Sequence, residues 1–173
     1  MMILVTGGSK SGKSSLAERF FDGFSGEKYY LATMQPFGED ARAAISRHRK
    51  MRQGKGFLTI ERCTGLGGLV LPTGCGVLLE CMGNLCANEM FREDGLHDPT
   101  QPILDGIAHI QAVSSLFVIV TNEVGADGIV YPAETMQYIR YLAAVNRETA
   151  ALADTVIECT AGIPNILKGA YPC

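Results

Sequence analysis

The chain has 173 residues, a formal net charge of −3 and a hydrophobic content of 47%. This length suits one domain with a substantial core, so we expect residues 1–173 to form a single domain. The mild negative charge gives no reason to expect a nucleic-acid partner, and the longest uninterrupted apolar run, 116–120, is far too short to cross a bilayer.

Short β-prone runs alternate with helix-prone segments along the whole chain. Most of these runs are apolar throughout, which is typical of strands buried on both faces of a parallel sheet. The predicted strands cover 3–6, 29–33, 58–61, 76–81, 116–122 and 155–159, and the predicted helices lie near 13–23, 38–53, 84–93, 102–115 and 133–153. The alternation predicts an α/β, three-layer structure in which helices cover a mostly parallel sheet.

A complete phosphate-binding motif, G-x-x-x-x-G-K-[ST], joins the first predicted strand to the first predicted helix. Its residues are Gly7, Gly8, Ser9, Lys10, Ser11, Gly12, Lys13 and Ser14. Glycines allow backbone N–H groups to point at a phosphate, and the helix N-terminus adds its positive end. We expect Lys13 to reach the β- and γ-phosphates and the Ser14 hydroxyl to ligate Mg²⁺. The motif therefore predicts binding of a nucleoside triphosphate.

The position of this motif and the cysteine pattern bear on location. Because the motif begins at residue 7, it leaves no room for a signal peptide, and we expect a cytoplasmic protein. The six cysteines form no C-x-x-C pair, which disfavours a zinc site, and in the cytoplasm we expect them to be reduced.

Polar residues follow several of the predicted strands, at the sheet edge where ligands of α/β proteins gather. Those just past a strand are Thr33, Glu61, Glu80 and Glu123. A carboxylate at the position of Glu80 is the usual second ligand or water-holder for Mg²⁺, and the alternative is that it caps the helix predicted near Asn84. The segment 121–125 is either a plain strand exit or a polar contact to the substrate.

A basic segment from Arg42 to Lys55 contains six Lys and Arg residues and His48, with no acidic residue. On a helix, Ile45, His48 and Arg52 share one face. Neighbouring cations disfavour the imidazolium form, so they leave a neutral, nucleophilic nitrogen, and they would also hold a polyphosphate. The residues alone leave two interpretations open, a solvated helix face or a catalytic histidine.

Together these motifs resemble the adenosylcobinamide kinase / adenosylcobinamide-phosphate guanylyltransferase family of cobalamin biosynthesis. The resemblance runs over nearly the whole chain. The more specific matches are His48-Arg49 after Ile45, the Asn-Glu-Val-Gly of 122–125 and the Gly-Ile-Val of 128–130. Further matches are 2–14, 30–33, 59–61, 78–81, Asn88, Asn146 and parts of 162–168.

The resemblance implies a RecA-like P-loop fold, a homotrimer and two reactions. In the kinase reaction, ATP or GTP gives its γ-phosphoryl group to the hydroxyl of the aminopropanol arm of adenosylcobinamide. In the guanylyltransferase reaction, His48 attacks the α-phosphorus of GTP and pyrophosphate leaves. The phosphate of adenosylcobinamide phosphate then takes the GMP from the histidine, which gives adenosylcobinamide-GDP.

The same matching implies His48 and Lys13 as catalytic residues and Ser14 and Glu80 as magnesium ligands. The implied nucleotide contacts outside the phosphate loop are Ala32, Thr33, Met34, Arg49, Lys50, Met51, Arg52, Glu61 and Glu80. The chain departs from the family where Gly83 replaces a usual threonine and where Tyr141 and Arg147 replace other polar residues. The two late departures concern the corrinoid contacts and the kinase reaction more than guanylylation.

Two other functions stay open from the sequence. A small-molecule kinase could carry the same loop without a covalent nucleotide, and His48 would then be a phosphate clamp or a surface residue. A GTP-dependent switch normally reads guanine with Asn-Lys-x-Asp, and that tetrapeptide does not occur in the sequence.

Overall fold

The structure is a computed structural model that describes residues 1–36, 38–39, 43, 45–46 and 54–171. The predicted helix over 38–53 therefore lies mostly outside the described residues. His48, Arg49, Lys50, Met51 and Arg52 all lie outside them as well.

The described part of the chain contains nine strands, four α-helices with defined ends and one 3₁₀ turn, Leu66–Gly68, and residues 38–39, 43 and 45–46 are also helical. The strands are β1 Met2–Thr6, β2 Lys28–Ala32, β3 Phe57–Glu61, β4 Cys75–Leu79, β5 Phe91–Arg92, β6 Gly95–Leu96, β7 Ser114–Val120, β8 Thr155–Thr160 and β9 Ile163–Lys168. The helices are α1 Lys13–Arg19, α2 Met82–Met90, α3 Thr100–Val113 and α4 Ala133–Leu152.

Seven of the strands form one sheet in the order β3-β2-β4-β7-β1-β8-β9. All neighbouring pairs from β3 to β8 are parallel, and β9 alone runs antiparallel, against β8. Because the carboxyl ends of parallel strands meet at one edge, the segments that follow β1, β2, β3 and β4 come together there.

Side chains of β1 alternate between two apolar cores, one on each face of the sheet. Met2 and Leu4 pack with residues of α2, α3 and α4, whereas Ile3 and Val5 pack with Leu16 of α1 and with its neighbours. Helices thus cover both faces, and the predicted α/β arrangement with a mostly parallel sheet is confirmed.

All six predicted strands are present, but β9 and the small β5–β6 ribbon were not predicted. Every residue of β9 except Pro164 is exposed, so the strand shows no buried apolar pattern that a sequence could reveal. Proline is also tolerated there because β9 is an edge strand. The helix predicted over 84–93 is α2, which ends at Met90 where the ribbon begins.

None of the helices that the structure describes is long and apolar enough to cross a membrane. The five described cysteines, 63, 75, 81, 86 and 159, are all free thiols. In the same part of the chain no three His, Cys, Asp or Glu side chains come together as a metal cluster.

Candidate active site at the carboxyl edge of the sheet

The phosphate loop between β1 and α1 has a backbone that its glycines make possible. Gly7 has a φ of 138° and Gly12, the N-cap of α1, has a φ of 98°. A Cβ on Gly7 would collide with the backbone carbonyl of Cys159, and one on Gly12 would lie 3.2 Å from the Cα of Gly162. Glycine is therefore required at both positions by conformation and by close packing against the segment after β8.

Lys13 is held inside this loop. Its side chain is 6% exposed, and its Nζ donates to the carbonyls of Gly7 at 2.9 Å and Gly8 at 2.5 Å. Burial lowers the pKa of Lys13, and the nearby Cys81, Cys159 and Glu123 oppose part of that shift. The ammonium group is thus pre-positioned next to the backbone that would cradle a phosphate.

The side chain of Ser11 in the loop has an unsatisfied hydroxyl group. Its Oγ is buried and has no hydrogen-bond partner among the described residues. A buried hydroxyl without a partner is costly, and a phosphate oxygen at the loop would satisfy it. The loop therefore fits a bound polyphosphate on an observation independent of the motif.

The segment after β8 supports the loop from the outside. The backbone N–H of Gly162 donates to the Ser11 carbonyl at 2.7 Å, and the Cys159 thiol donates to the same carbonyl at 3.2 Å. Cys159 is fully buried. The sequence does not indicate this role, because a buried cysteine in an apolar strand has the same sequence pattern as any other core residue.

Thr33, Glu80 and Cys81 meet where β2 and β4 end. The Thr33 side chain is fully buried and donates through Oγ1 to the Cys81 carbonyl at 2.9 Å. Glu80 is 6% exposed, and its backbone N–H donates to the Leu31 carbonyl at 3.1 Å. The N-cap of α2 is Cys81, whose Sγ accepts from the Asn84 N–H at 3.5 Å, so the interpretation of Glu80 as the helix cap is wrong.

Asn88 fixes the segment that follows β2. Its Nδ2 donates to the carbonyls of Thr33 at 2.8 Å and Cys63 at 3.1 Å, so one α2 side chain ties the ends of β2 and β3 together. Within the sheet, Ala32 of β2 pairs with Glu61 of β3. Asn88 was only one match among many in the sequence, and its bridging role needed the structure.

The segment after β7 turns out to be a polar connection to the loop. Thr121 is 1% exposed and donates through Oγ1 to Oδ1 of Asn146 at 2.7 Å, and Asn146 returns a bond to the Asn122 carbonyl at 3.3 Å. The Glu123 N–H lies 3.5 Å from the Gly7 carbonyl. The segment 121–123 thus joins α4 to the phosphate loop.

One departure from the family pattern has a structural reason. A Cβ on Gly83 would lie 3.1 Å from the Tyr138 hydroxyl oxygen, and that hydroxyl donates to the Gly83 carbonyl at 3.3 Å. Burial raises the pKa of Tyr138 to about 12, so the phenol stays a donor at neutral pH. Glycine at position 83 makes room for this tyrosine from α4.

The structure thus brings the phosphate loop, Ala32, Thr33, Met34, Glu61 and Glu80 to one edge of the sheet. Ala32 and Glu61 end β2 and β3, whereas the phosphate loop follows β1, Thr33 and Met34 follow β2, and Glu80 follows β4. Of these residues, the strand-end rule predicts Thr33, Glu61 and Glu80. The predicted nucleophile His48 and the predicted contacts Arg49 to Arg52 lie outside the described residues.

Residues 3–167 match the family model described as cobinamide kinase / cobinamide phosphate guanyltransferase. The chain is 36% identical to the bifunctional adenosylcobalamin biosynthesis protein CobU of Escherichia coli K12, over 94% of this chain and 97% of that protein. It is 35% identical to CobU of Salmonella typhimurium over the same shares. A third relative, CobP of Pseudomonas aeruginosa, is 25% identical over 98% of both chains.

Two solved structures are more distantly similar. The flagellar accessory protein FlaH from Methanocaldococcus jannaschii aligns with a TM-score of 0.46 and 18% identity, over 99% of this chain and 81% of that one. A DnaB-like replicative helicase aligns with a TM-score of 0.47 and 8% identity, over 95% of this chain and 54% of that one.

Proposed function

The chain belongs to the cobinamide kinase / cobinamide phosphate guanyltransferase family, and on this basis we propose that one site at the carboxyl edge of its sheet serves both transfers. The observation that carries the proposal is the geometry of the phosphate loop. Its buried Lys13 and its Ser11 hydroxyl, which has no partner among the described residues, could both bind a polyphosphate. We assign both reactions to residues 1–173 as a single domain.

In the kinase reaction the loop holds the β- and γ-phosphates of ATP or GTP. Lys13 moves from the Gly7 and Gly8 carbonyls to the phosphate oxygens and stabilises the charge that develops during transfer. The hydroxyl of the aminopropanol arm of adenosylcobinamide attacks the γ-phosphorus and loses its proton to solvent. The bond from the γ-phosphorus to the β-phosphate oxygen breaks, and ADP or GDP leaves with its electron pair. The Ser14 hydroxyl and the Glu80 carboxylate would hold Mg²⁺, which neutralises phosphate charge when bound.

In the guanylyltransferase reaction His48 is the nucleophile. Its neutral imidazole nitrogen attacks the α-phosphorus of GTP, an N–P bond forms, and pyrophosphate leaves with the electron pair of the broken P–O bond. Arg49, Lys50 and Arg52 stabilise the leaving group. An oxygen of adenosylcobinamide phosphate then displaces the histidine, which gives adenosylcobinamide-GDP.

We place the guanine nucleotide against Ala32, Thr33 and Met34, with Glu61 and Glu80 on the neighbouring strand ends and Met51 among the residues of the basic segment. The sheet pairing of Ala32 with Glu61 and the position of Glu80 directly after β4 support this placement. Buried polar groups of fixed position are what discrimination between purine bases requires.

Mass spectrometry of the intact protein tests the transferase half. After incubation with GTP and Mg²⁺ we expect one added GMP per chain, mapped to the peptide that contains His48, stable in alkali and lost in acid because it is a phosphoramidate. His48→Asn loses the adduct and all adenosylcobinamide-GDP synthesis but keeps kinase activity, which needs no histidine. His97→Asn is the matched control, because His97 is a partly exposed histidine that pairs with Asp94.

An adduct that persists in His48→Asn, or that never forms in the wild type, overturns the transferase assignment. The second candidate function, a small-molecule kinase without a covalent nucleotide, would then remain, because the phosphate loop supports phosphoryl transfer by itself.

We also propose a homotrimer in the cytoplasm. Exposed apolar side chains support an oligomer, since Val130 is 91% exposed and Ile163 is 69% exposed. The free thiols of the described cysteines are in keeping with a reducing compartment.

A further inference from the structure

A large cavity lies beside the proposed nucleotide contacts, and none of the residues assigned to the two reactions lines it. Its volume is about 880 Å³, within the range of small-molecule sites. It opens between the segments that follow β2 and β3 and the end of α2, and its walls include Gln35, Cys63, Thr64, Asn88, Phe91 and Arg92.

The walls of this cavity are held in place without a ligand. Asn88 bonds to the Thr33 and Cys63 carbonyls, as described above. Glu89, only 2% exposed, accepts a bond from the Gly65 N–H at 2.6 Å and pairs with the Arg92 guanidinium. The cavity is therefore pre-formed, which lowers the ordering cost of binding.

The charges of the described wall residues do not suit a phosphate. Arg92 is engaged by Glu89, which raises the pKa of the guanidinium, and Glu93 adds a negative charge to the lining. The other described residues of the wall offer the apolar ring of Phe91, which is 48% exposed, and the neutral amide of Gln35. Such a wall favours a large body with an apolar surface and amide groups at its rim.

We propose that this cavity holds the corrin body of cobinamide, whose macrocycle is apolar and fringed with carboxamides. The proposal rests on the proposed function, in which cobinamide is the acceptor. The strand order puts this cavity at a distance that the arm of cobinamide could span. Strand β2 lies three strands from β1, which is about 14 Å at the usual strand spacing. The corrin body would sit at β2 and β3 while its hydroxyl-bearing arm reaches toward the phosphate loop after β1.

Equilibrium dialysis with cobinamide, followed by its visible absorbance, tests the assignment without requiring turnover. Phe91→Ala should weaken cobinamide binding about tenfold, because it removes the exposed aromatic wall. Leu96→Ala is the matched control, because Leu96 pairs with Phe91 in the β5–β6 ribbon, is also 48% exposed, and is not part of the cavity lining. It should bind cobinamide like the wild type.

A second pair of variants fills the cavity. Cys63→Phe should block cobinamide binding, whereas Cys63→Ser, which keeps the volume, should not. In the kinase reaction the KM for cobinamide should rise in Phe91→Ala and Cys63→Phe, with the KM for ATP unchanged. Guanylylation by GTP, which needs no corrinoid, should also be unchanged in all of these variants.

Unchanged cobinamide binding in both Phe91→Ala and Cys63→Phe overturns the assignment. So does a loss of GTP binding with cobinamide binding intact, because the cavity would then belong to the guanine base. Failure of the proposed function has a different signature, namely a wild-type protein that forms no GMP adduct but still binds cobinamide through Phe91.

Discussion

Replacing Lys13 by methionine separates the chemical role of this residue from a structural one. Methionine keeps a long apolar side chain but removes the ammonium that donates to the Gly7 and Gly8 carbonyls. Loss of one pre-positioned electrostatic contact in a site of this kind costs about 3–4 kcal/mol of transition-state stabilisation. We therefore expect the rate of phosphoryl transfer to fall by about two to three orders of magnitude.

The free energy of unfolding should hardly change in Lys13→Met. Two bonds from the ammonium are lost, but both carbonyls keep a backbone donor, the Ser11 N–H at 3.3 Å for Gly8 and the Glu123 N–H at 3.5 Å for Gly7. Burial lowers the pKa of Lys13, so below that pKa the charged group weakens the folded state, and methionine removes this cost. We expect a net change within about 1 kcal/mol, or about 2–4 °C in Tm.

The assay combines steady-state kinase rates with thermal unfolding of the nucleotide-free protein. Lys168→Met is the control, because Lys168 also donates to two carbonyls, those of Ala150 at 3.1 Å and Ala151 at 2.8 Å, but lies in β9 and reaches the carboxyl end of α4. It should lose a little stability and no activity. A rate loss below tenfold in Lys13→Met, or a fall in Tm beyond about 8 °C, would refute the reasoning.

Three further results are expected. Glu80→Gln should raise the Mg²⁺ concentration needed for turnover, because a neutral amide is a poorer ligand for a hard cation, and an unchanged magnesium titration would remove Glu80 from the metal site. Ser11→Ala should raise the free energy of unfolding of the free protein by about 1 kcal/mol, and it should reduce the Tm increase caused by ATP. Equal ATP-induced Tm shifts in variant and wild type would show that the hydroxyl does not contact the phosphates. Light scattering should give the mass of a trimer, and an active monomer unchanged on dilution would contradict the oligomer.

The sequence locates the phosphate loop because the determinants of the loop are local. The phosphate loop needs glycines, a lysine and a following helix within a few positions, and the apolar runs before Thr33 and Glu80 end at these polar residues. What the sequence does not reveal are contacts between distant segments. The bridge from Asn88 to Thr33 and Cys63 depends on three separate elements meeting, and no local pattern encodes it.

The exposed edge strand was missed for a related reason. Strand β9 buries almost nothing, so neither alternation nor an apolar run marks it. For Glu80, an interpretation from the local sequence is wrong. Glu80 does not cap the following helix, because the neighbouring Cys81 supplies the cap through its sulfur atom. Cysteine is not among the usual capping residues, so the pattern gave no signal.

The support of the phosphate loop by the segment after β8 has a consequence for the order of folding. The Cys159 thiol and the Ser11 carbonyl that it contacts are 148 positions apart, and β1 pairs with β7 and β8 but with no earlier strand. The phosphate loop follows β1 near the start of the chain. During synthesis, β1 therefore has no neighbouring strand to pair with until β7 and β8 have left the ribosome. Such long-range closure is slow compared with local helix formation. Nucleotide binding is then one of the last properties that the chain acquires, and it reports that folding is complete.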